Sequence, residues 1–248
     1  MNSDYEDQSP EFEHEYSQGK NKFDAVTAAG VQVNAWAGKP NMKEIYKGNG
    51  KVNNFEVKAR ATPYGRSLAS SIKIFDIQPG AYSTNYTLQS PSRPSNPNEF
   101  IFGLAMPGNA PLPDIDVGDD YGKYVVGPLE YALGGEGEER WKEMKAVHAA
   151  PGYITPDEMC QTFSQISGKK VTYIAIPDPQ LHAIVQSFAG SRAAGRVIEM
   201  YRGIREVGYY GGDDLKPNNA HLAKPADTFW QTLKARPEVI KKIFEGEA

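Results

Sequence analysis

The sequence predicts an α/β fold, and three observations carry that reading. Val52 to Tyr86 (VNNFEVKARATPYGRSLASSIKIFDIQPGAYSTNY) reads as a helix, a turn and a strand. The strand ends at Pro79-Gly80 and runs into a loop carrying Tyr82, Asn85 and Tyr86. Helical and strand patterns then alternate along the rest of the chain, the signature of helices packed on a parallel sheet. A strand that feeds a Pro-Gly turn is also where open α/β sheets build ligand sites, at the carboxyl ends of their strands.

The elements follow in order. Ser9-Pro10-Glu11 is a helix start, with Ser9 as N-cap and Pro10 in the first turn. This helix runs to Ala29 and stops at Gly30, with Tyr16, Phe23 and Val26 on its apolar face. Val31 to Trp36 is a short strand closed by Gly38-Lys39-Pro40. Phe55 to Leu68 is the central helix, weakened by Pro63 and Gly65. Its strand begins at Ser71, and Ile72, Ile74 and Ile77 point to burial. Ser90 to Pro97 is a proline-rich loop, Phe100 to Leu104 a strand, and Ile115 to Val117 a short extended run. Asp119-Asp120 opens a helix to about Leu133, with carboxylates suited to a helix N-terminus. Trp141 to His148 is a strand, and Thr155-Pro156 starts a helix that ends at Gly168. Val171 to Ile176 is a further strand, Leu181 to Val207 is helical, and Phe229 to Phe244 is helical with a break at Pro237.

Composition narrows the function. The chain has 248 residues with 40% apolar and 23% charged side chains, the balance of a soluble globular protein. A net charge of −4 gives no pull toward nucleic acid or an anionic membrane. Cys160 stands alone, so no intrachain disulfide forms and a reducing compartment is permitted. The acidic start is not a secretory signal, and no window is long and apolar enough to span a bilayer. The expected location is the cytoplasm.

Several stretches resemble the NmrA-like family of atypical short-chain dehydrogenases and its isoflavone-reductase-like relatives. The matching segments are SPEFEHEYSQGKNKFDAVTAAGV, VNAWAGKPN, the Phe55-x-x-Lys58 helix with its Pro79-Gly80 loop, and LPDIDVGDDYGKYV. The resemblance implies a truncated Rossmann-like parallel sheet with helices over residues 1–140. A smaller, substrate-side α/β region with C-terminal helices is expected over 141–248. It implies NADP as cofactor and a small metabolite as substrate, and it gives Lys58 a place beside the nicotinamide in proton transfer. The chain begins where the family is already well into its nucleotide-binding half, and no G-x-G-x-x-G stands between a strand and a helix. A reading frame extending upstream of Met1 is one account of this start.

The candidate site residues are Lys58 as catalytic group and Lys58, Pro79 and Gly80 toward a cofactor. Asn54, Tyr82, Asn85, Tyr86 and His148 are the candidates toward substrate, aromatic walls with an amide suiting a planar, partly polar molecule. In the ordinary short-chain dehydrogenase a serine, a tyrosine and a lysine share the work. Aligned here, the tyrosine position is Asn54 and the serine position Ala37, so of the three roles only the lysine's remains. The four histidines are far apart and lack metal-ligand spacing. Asp116 and Asp119 read as caps and loop staples, and Cys160 as a small core residue. Two function classes stand. One is an oxidoreductase-family enzyme, with cofactor-free dehydration, isomerisation or cyclisation as one version. The other is a non-catalytic, dinucleotide-sensing or regulatory protein. An uncovered sheet edge would also suit a homodimer.

Overall fold

The computed structural model describes residues 10–47, 53–68, 72–88, 99–134 and 146–245. The centre of the molecule is a parallel sheet of β1 (Val33–Ala37), β2 (Lys73–Pro79) and β6 (Ala146–Ala149), in the order β1-β2-β6. Trp36 lies opposite Asp76, and Gln78 opposite His148. β2 is central and covered on both faces, so it reads as a near-continuous buried run. Its alternating side chains divide the layers. Ile72 and Ile74 pack with Phe23 and Ala61 under α1 (Pro10–Ala28) and α3 (Asn53–Leu68). Phe75 and Ile77 pack with Val147, Ala149 and Tyr124 under α5 (Tyr121–Leu133).

Two further sheets are found among the described residues. β3 (Ala81–Tyr82), β5 (Leu112–Ile115) and β7 (Gly152–Ile154) form one, with β3 parallel and β7 antiparallel to β5. β4 (Glu99–Leu104) and β8 (Lys170–Ala175) form a parallel pair. The connecting helices are α2 (Met42–Ile45), α4 (Ser83–Leu88), α6 (Pro156–Ser167), α7 (Asp178–Val207), α8 (Lys216–Asn219), α9 (Phe229–Lys234) and α10 (Pro237–Glu245). The largest core cluster lies over the β4–β8 pair, where Phe163 meets Phe102, Phe229 and Phe244 edge-on or tilted, with centroids 5.5–5.9 Å apart.

Helix ends follow the expected chemistry. Thr155 and Glu158 form a reciprocal capping box, and Gly168 takes the left-handed C-cap at φ 68°. α3 runs unbroken through Pro63 and Gly65. α7 breaks at Gly190, whose φ of 82° and ψ of 165° are not helical. The aromatic segment after Pro79-Gly80 is the short strand β3 and the turn of helix α4 rather than a loop. The break at Pro237 separates α9 from α10. The central strand begins at Lys73; Ser71 lies outside the described residues, as do Ser9 and the proline-rich loop. A boundary at residue 140 is bridged by both parallel sheets, because β6 pairs with β2 and β8 pairs with β4. Among the described residues no helix is long and apolar enough to cross a membrane.

Candidate functional site

The carboxyl ends of β1 and β2 are closed by a turn that carries a lysine inward. Gly38 donates its N–H to the Ile77 carbonyl at 3.1 Å, which brings Lys39 over the end of β2. Lys39 Nζ donates to the Pro79 carbonyl (3.1 Å) and to the Tyr209 hydroxyl (2.6 Å). Tyr209 follows Gly208, the residue that ends α7 in a positive-φ conformation, and its hydroxyl donates to the same carbonyl at 3.0 Å. The ammonium also lies 5.3 Å from the Phe55 ring, 5.8 Å from Tyr82 and 5.3 Å from Tyr209. Burial pulls its pKa down from 10.5 to about 8, and the charge of Lys58 pulls in the same direction. Residue patterns marked Gly38-Lys39-Pro40 only as a strand-closing turn. A lysine within the Gly-Lys-Pro turn that closes β1 was the available signal.

Beneath α3 the same crevice opens into a cavity of about 420 Å³, walled by Lys39, Asp76, Gln78, His148, Tyr210 and Asp213 among others. Asp76 is 5% exposed and accepts hydrogen bonds from Gln78 Nε2 (2.9 Å) and Thr62 Oγ1 (3.3 Å). Burial outweighs those bonds and the neighbouring Arg66, and pushes its pKa up to about 6. His148 stacks flat on Tyr210 at 4.1 Å, with Nδ1 3.7 Å from Asp213. Burial lowers the pKa of His148, against the pull of Asp213. Tyr210 is fixed in turn by a 2.7 Å bond from its hydroxyl to the Gln78 carbonyl.

Lys58 is half-buried on α3 and faces a second cavity, of about 530 Å³. Trp36 and Ala37 of β1 and Glu15, Gln18 and Lys22 of α1 share that wall. Lys39 thus meets Tyr82 and the Pro79 carbonyl at the end of β2 and shares its cavity with His148, whereas Lys58 lines the second cavity with Ala37 at the end of β1. Gly80 contributes backbone: a Cβ there would stand 2.6 Å from the Pro113 carbonyl oxygen, so the glycine admits the close approach of β3 and β5. Asn85 is exposed on α4 and lines none of these cavities. Tyr86 is a core residue, 4% exposed, with its ring edge-on to Phe102 and Phe229 at 6.1 Å. It shapes the fold from behind and does not face the crevice. Asn54 falls within α3, and its side chain lies outside the described residues.

Other charged groups have structural partners. Asp116 accepts from the Gly118 N–H at 3.1 Å, and both Asp116 and Asp119 pair with Arg236. Asp114, held by two bonds from Ser83 Oγ, is pushed up to about 7 by burial, with Asp116 and Asp120 adding to the rise. Cys160 is buried in α6, and burial raises its thiol pKa to about 12. Among the described residues no three His, Cys, Asp or Glu side chains gather as metal ligands.

The model of the NmrA-like family matches residues 5–235. The NmrA-like family domain-containing oxidoreductase lnbB of Aspergillus flavus is 25% identical over 198 residues, covering 73% of this chain and 57% of the relative. Among solved structures, Nmra, described as a negative transcriptional regulator in complex with NAD, superposes with a TM-score of 0.62 at 18% identity. That match covers 94% of this chain and 66% of Nmra. The NADPH-dependent quinone oxidoreductase QOR2 of Escherichia coli, complexed with NADPH, gives 0.60 at 18% identity over 88% of this chain and 70% of its own. The chain thus spans somewhat over half of the curated relative and about two-thirds of the Nmra structure. With a family match over most of its length and a Rossmann-type α/β fold shared with these structures, the chain belongs to the NmrA-like family.

Proposed function

We propose that this chain supplies the metabolite-binding side of an NmrA-type oxidoreductase, and that Lys58 is its acid–base group toward a small, planar metabolite. The observation that carries the proposal is the convergence of two lysines at the carboxyl ends of β1 and β2. Lys58 from α3 stands near enough to Lys39 for its charge to depress the Lys39 pKa. Paired cations at this place suit negative charge developing on a substrate oxygen. The rings of Tyr82 and Tyr209 pack about the Lys39 ammonium, and His148 lines the Lys39 cavity as a further substrate contact. The oxidoreductase class is supported by the names of the A. flavus relative and of QOR2.

The family and the complexes described for Nmra and QOR2 imply a nicotinamide dinucleotide. A pyrophosphate needs a Gly-rich turn opening a helix after a strand. The strand-to-helix junctions described here run through Gly38 to Asn41, directly from Tyr82 into Ser83, through Asp116 to Asp120, through Thr155, and through Ile176 and Pro177. None is such a turn, and at α2 and α6 the cap side chains of Asn41 and Thr155 already take an N–H of the first turn. The described residues therefore offer no seat for the phosphates. The reaction assigned to this chain is proton transfer, as in a dehydration, isomerisation or cyclisation.

Replacing Lys58 with Met tests the role. In a panel of small enones followed by loss of their absorbance, turnover is expected to fall by at least about 100-fold with an unchanged melting curve. Unchanged turnover would remove Lys58 from the mechanism. A second reading, a non-catalytic dinucleotide-sensing regulator, is favoured by Ala37 and Asn54 at the serine and tyrosine positions and by the description of Nmra as a transcriptional regulator. It predicts no turnover in either protein.

A further inference from the structure

In the proton transfer assigned to Lys58 the Lys39 ammonium supplies only charge, yet its surroundings are those of a reactive group in its own right. Its nitrogen offers three positions for a hydrogen bond or a lone pair. The Pro79 carbonyl and the Tyr209 hydroxyl take two of them, at 3.1 and 2.6 Å. The residue forms part of the wall of the cavity of about 420 Å³, with the rings of Phe55, Tyr82 and Tyr209 packed around its ammonium. From this geometry we infer that Lys39 is a nucleophilic amine, and that the cavity takes a small aldehyde or ketone which condenses with it to an imine.

The step balances without a redox partner. The lone pair of neutral Nζ adds to the carbonyl carbon, an N–C bond forms, and the π pair moves onto oxygen, which takes up a proton. Loss of the remaining N–H protons and departure of the oxygen as one water leaves the C=N bond. With a pKa of about 8, roughly a tenth of Lys39 is neutral at pH 7, a fraction on the order of a hundredfold above that of an ordinary lysine. Desolvation beside a second cation is a general way to activate a lysine nucleophile. The groups facing Lys39 are Lys58 from α3, Tyr82 from β3 and Tyr209 beyond α7. Glu44, Arg66, Asp76, His148 and Asp213 line the cavity further out. Burial raises the Tyr209 phenol above its ordinary range, so it stays protonated and holds the amine without exchanging its proton. The imine requires no dinucleotide, and burial, the larger cause of the lowered Lys39 pKa, remains when Lys58 is replaced.

Reductive trapping tests this. The full chain is incubated with benzaldehyde and sodium cyanoborohydride at pH 7, digested, and mapped by peptide mass spectrometry. Lys39 is expected to carry the adduct at least about tenfold faster than the exposed Lys216 and Lys241, and Lys39→Arg is expected to lose that adduct. Labelling of Lys39 at or below the rate of those surface lysines, or its absence, overturns the proposal. The wild-type map alone decides this if Lys39→Arg fails to fold. Labelling that persists in Lys58→Met separates this inference from the acid–base role of Lys58.

Discussion

Asp76 shows how one side chain sets a condition on the whole site. It occupies the middle of β2, and its Oδ1 lies where a Cβ on Gly38 would stand. The carboxyl therefore depends on the glycine of the β1 turn. Burial raises its folded pKa to about 6, above the ordinary 3.8 of an aspartate. Between these values the native state holds more protons than the unfolded one, so stability falls as pH rises through this window. The group contributes stability that is fully present below about pH 4 and lost above about pH 6. The cost is on the order of 2–3 kcal/mol. Asp76→Asn is expected to flatten this part of the pH–stability curve, measured as urea midpoints at pH 4, 5, 6 and 7. An unchanged slope would show that Asp76 ionises freely. Tyr82 lies 5.8 Å from the Lys39 ammonium and His148 lines the cavity, both near strand ends that local patterns marked. Lys39 was not legible in this way, because its burial comes from Tyr209, 170 residues away. Tyr86 misled for the converse reason: a tyrosine beside a strand end looks the same in sequence whether it faces a crevice or Phe102.

At the scale of elements, α3 is the informative case. Pro63 and Gly65 weaken it by propensity, yet it runs from Asn53 to Leu68. Gly65 is where α1 approaches: a Cβ there would sit 2.5 Å from the Phe23 ring. Ala has a helix propensity about 1 kcal/mol better than Gly, whereas overpacking a tight contact costs about 1–3 kcal/mol. Packing is expected to win, so Gly65→Ala should be destabilising in thermal or urea unfolding. A stabilised variant would mean that α1 moves aside at little cost. α6 is the opposite case, an element legible from end to end. Thr155, Pro156, Glu158 and Gly168 are local signals, and each is used as the chemistry dictates. Thr155→Ala is expected to cost about 1 kcal/mol through loss of the capping box. Equal unfolding midpoints for the two proteins would contradict that.

At the scale of the molecule, sheet pairing was the part that local patterns did not carry. β6 joins β2 across some 70 residues, as the 76-to-146 register shows, and β8 joins β4 across a similar span. Which strands meet is decided by the faces their helices cover, and those are properties of the packed chain. The resemblance to the NmrA-like family narrowed the α/β pattern to a Rossmann-like sheet, and the family match over residues 5–235 and the Nmra superposition agree with it. The outer edge of β1 pairs with no described strand, and Lys58 lies beside it. The central claim is that this chain carries the metabolite side of the site and does not itself hold the dinucleotide. Calorimetric titration of the purified 248-residue chain with NADPH and with NADP tests it most directly. The account predicts no saturable heat up to millimolar cofactor. A one-to-one isotherm with micromolar affinity would contradict it, and would return hydride transfer to this chain.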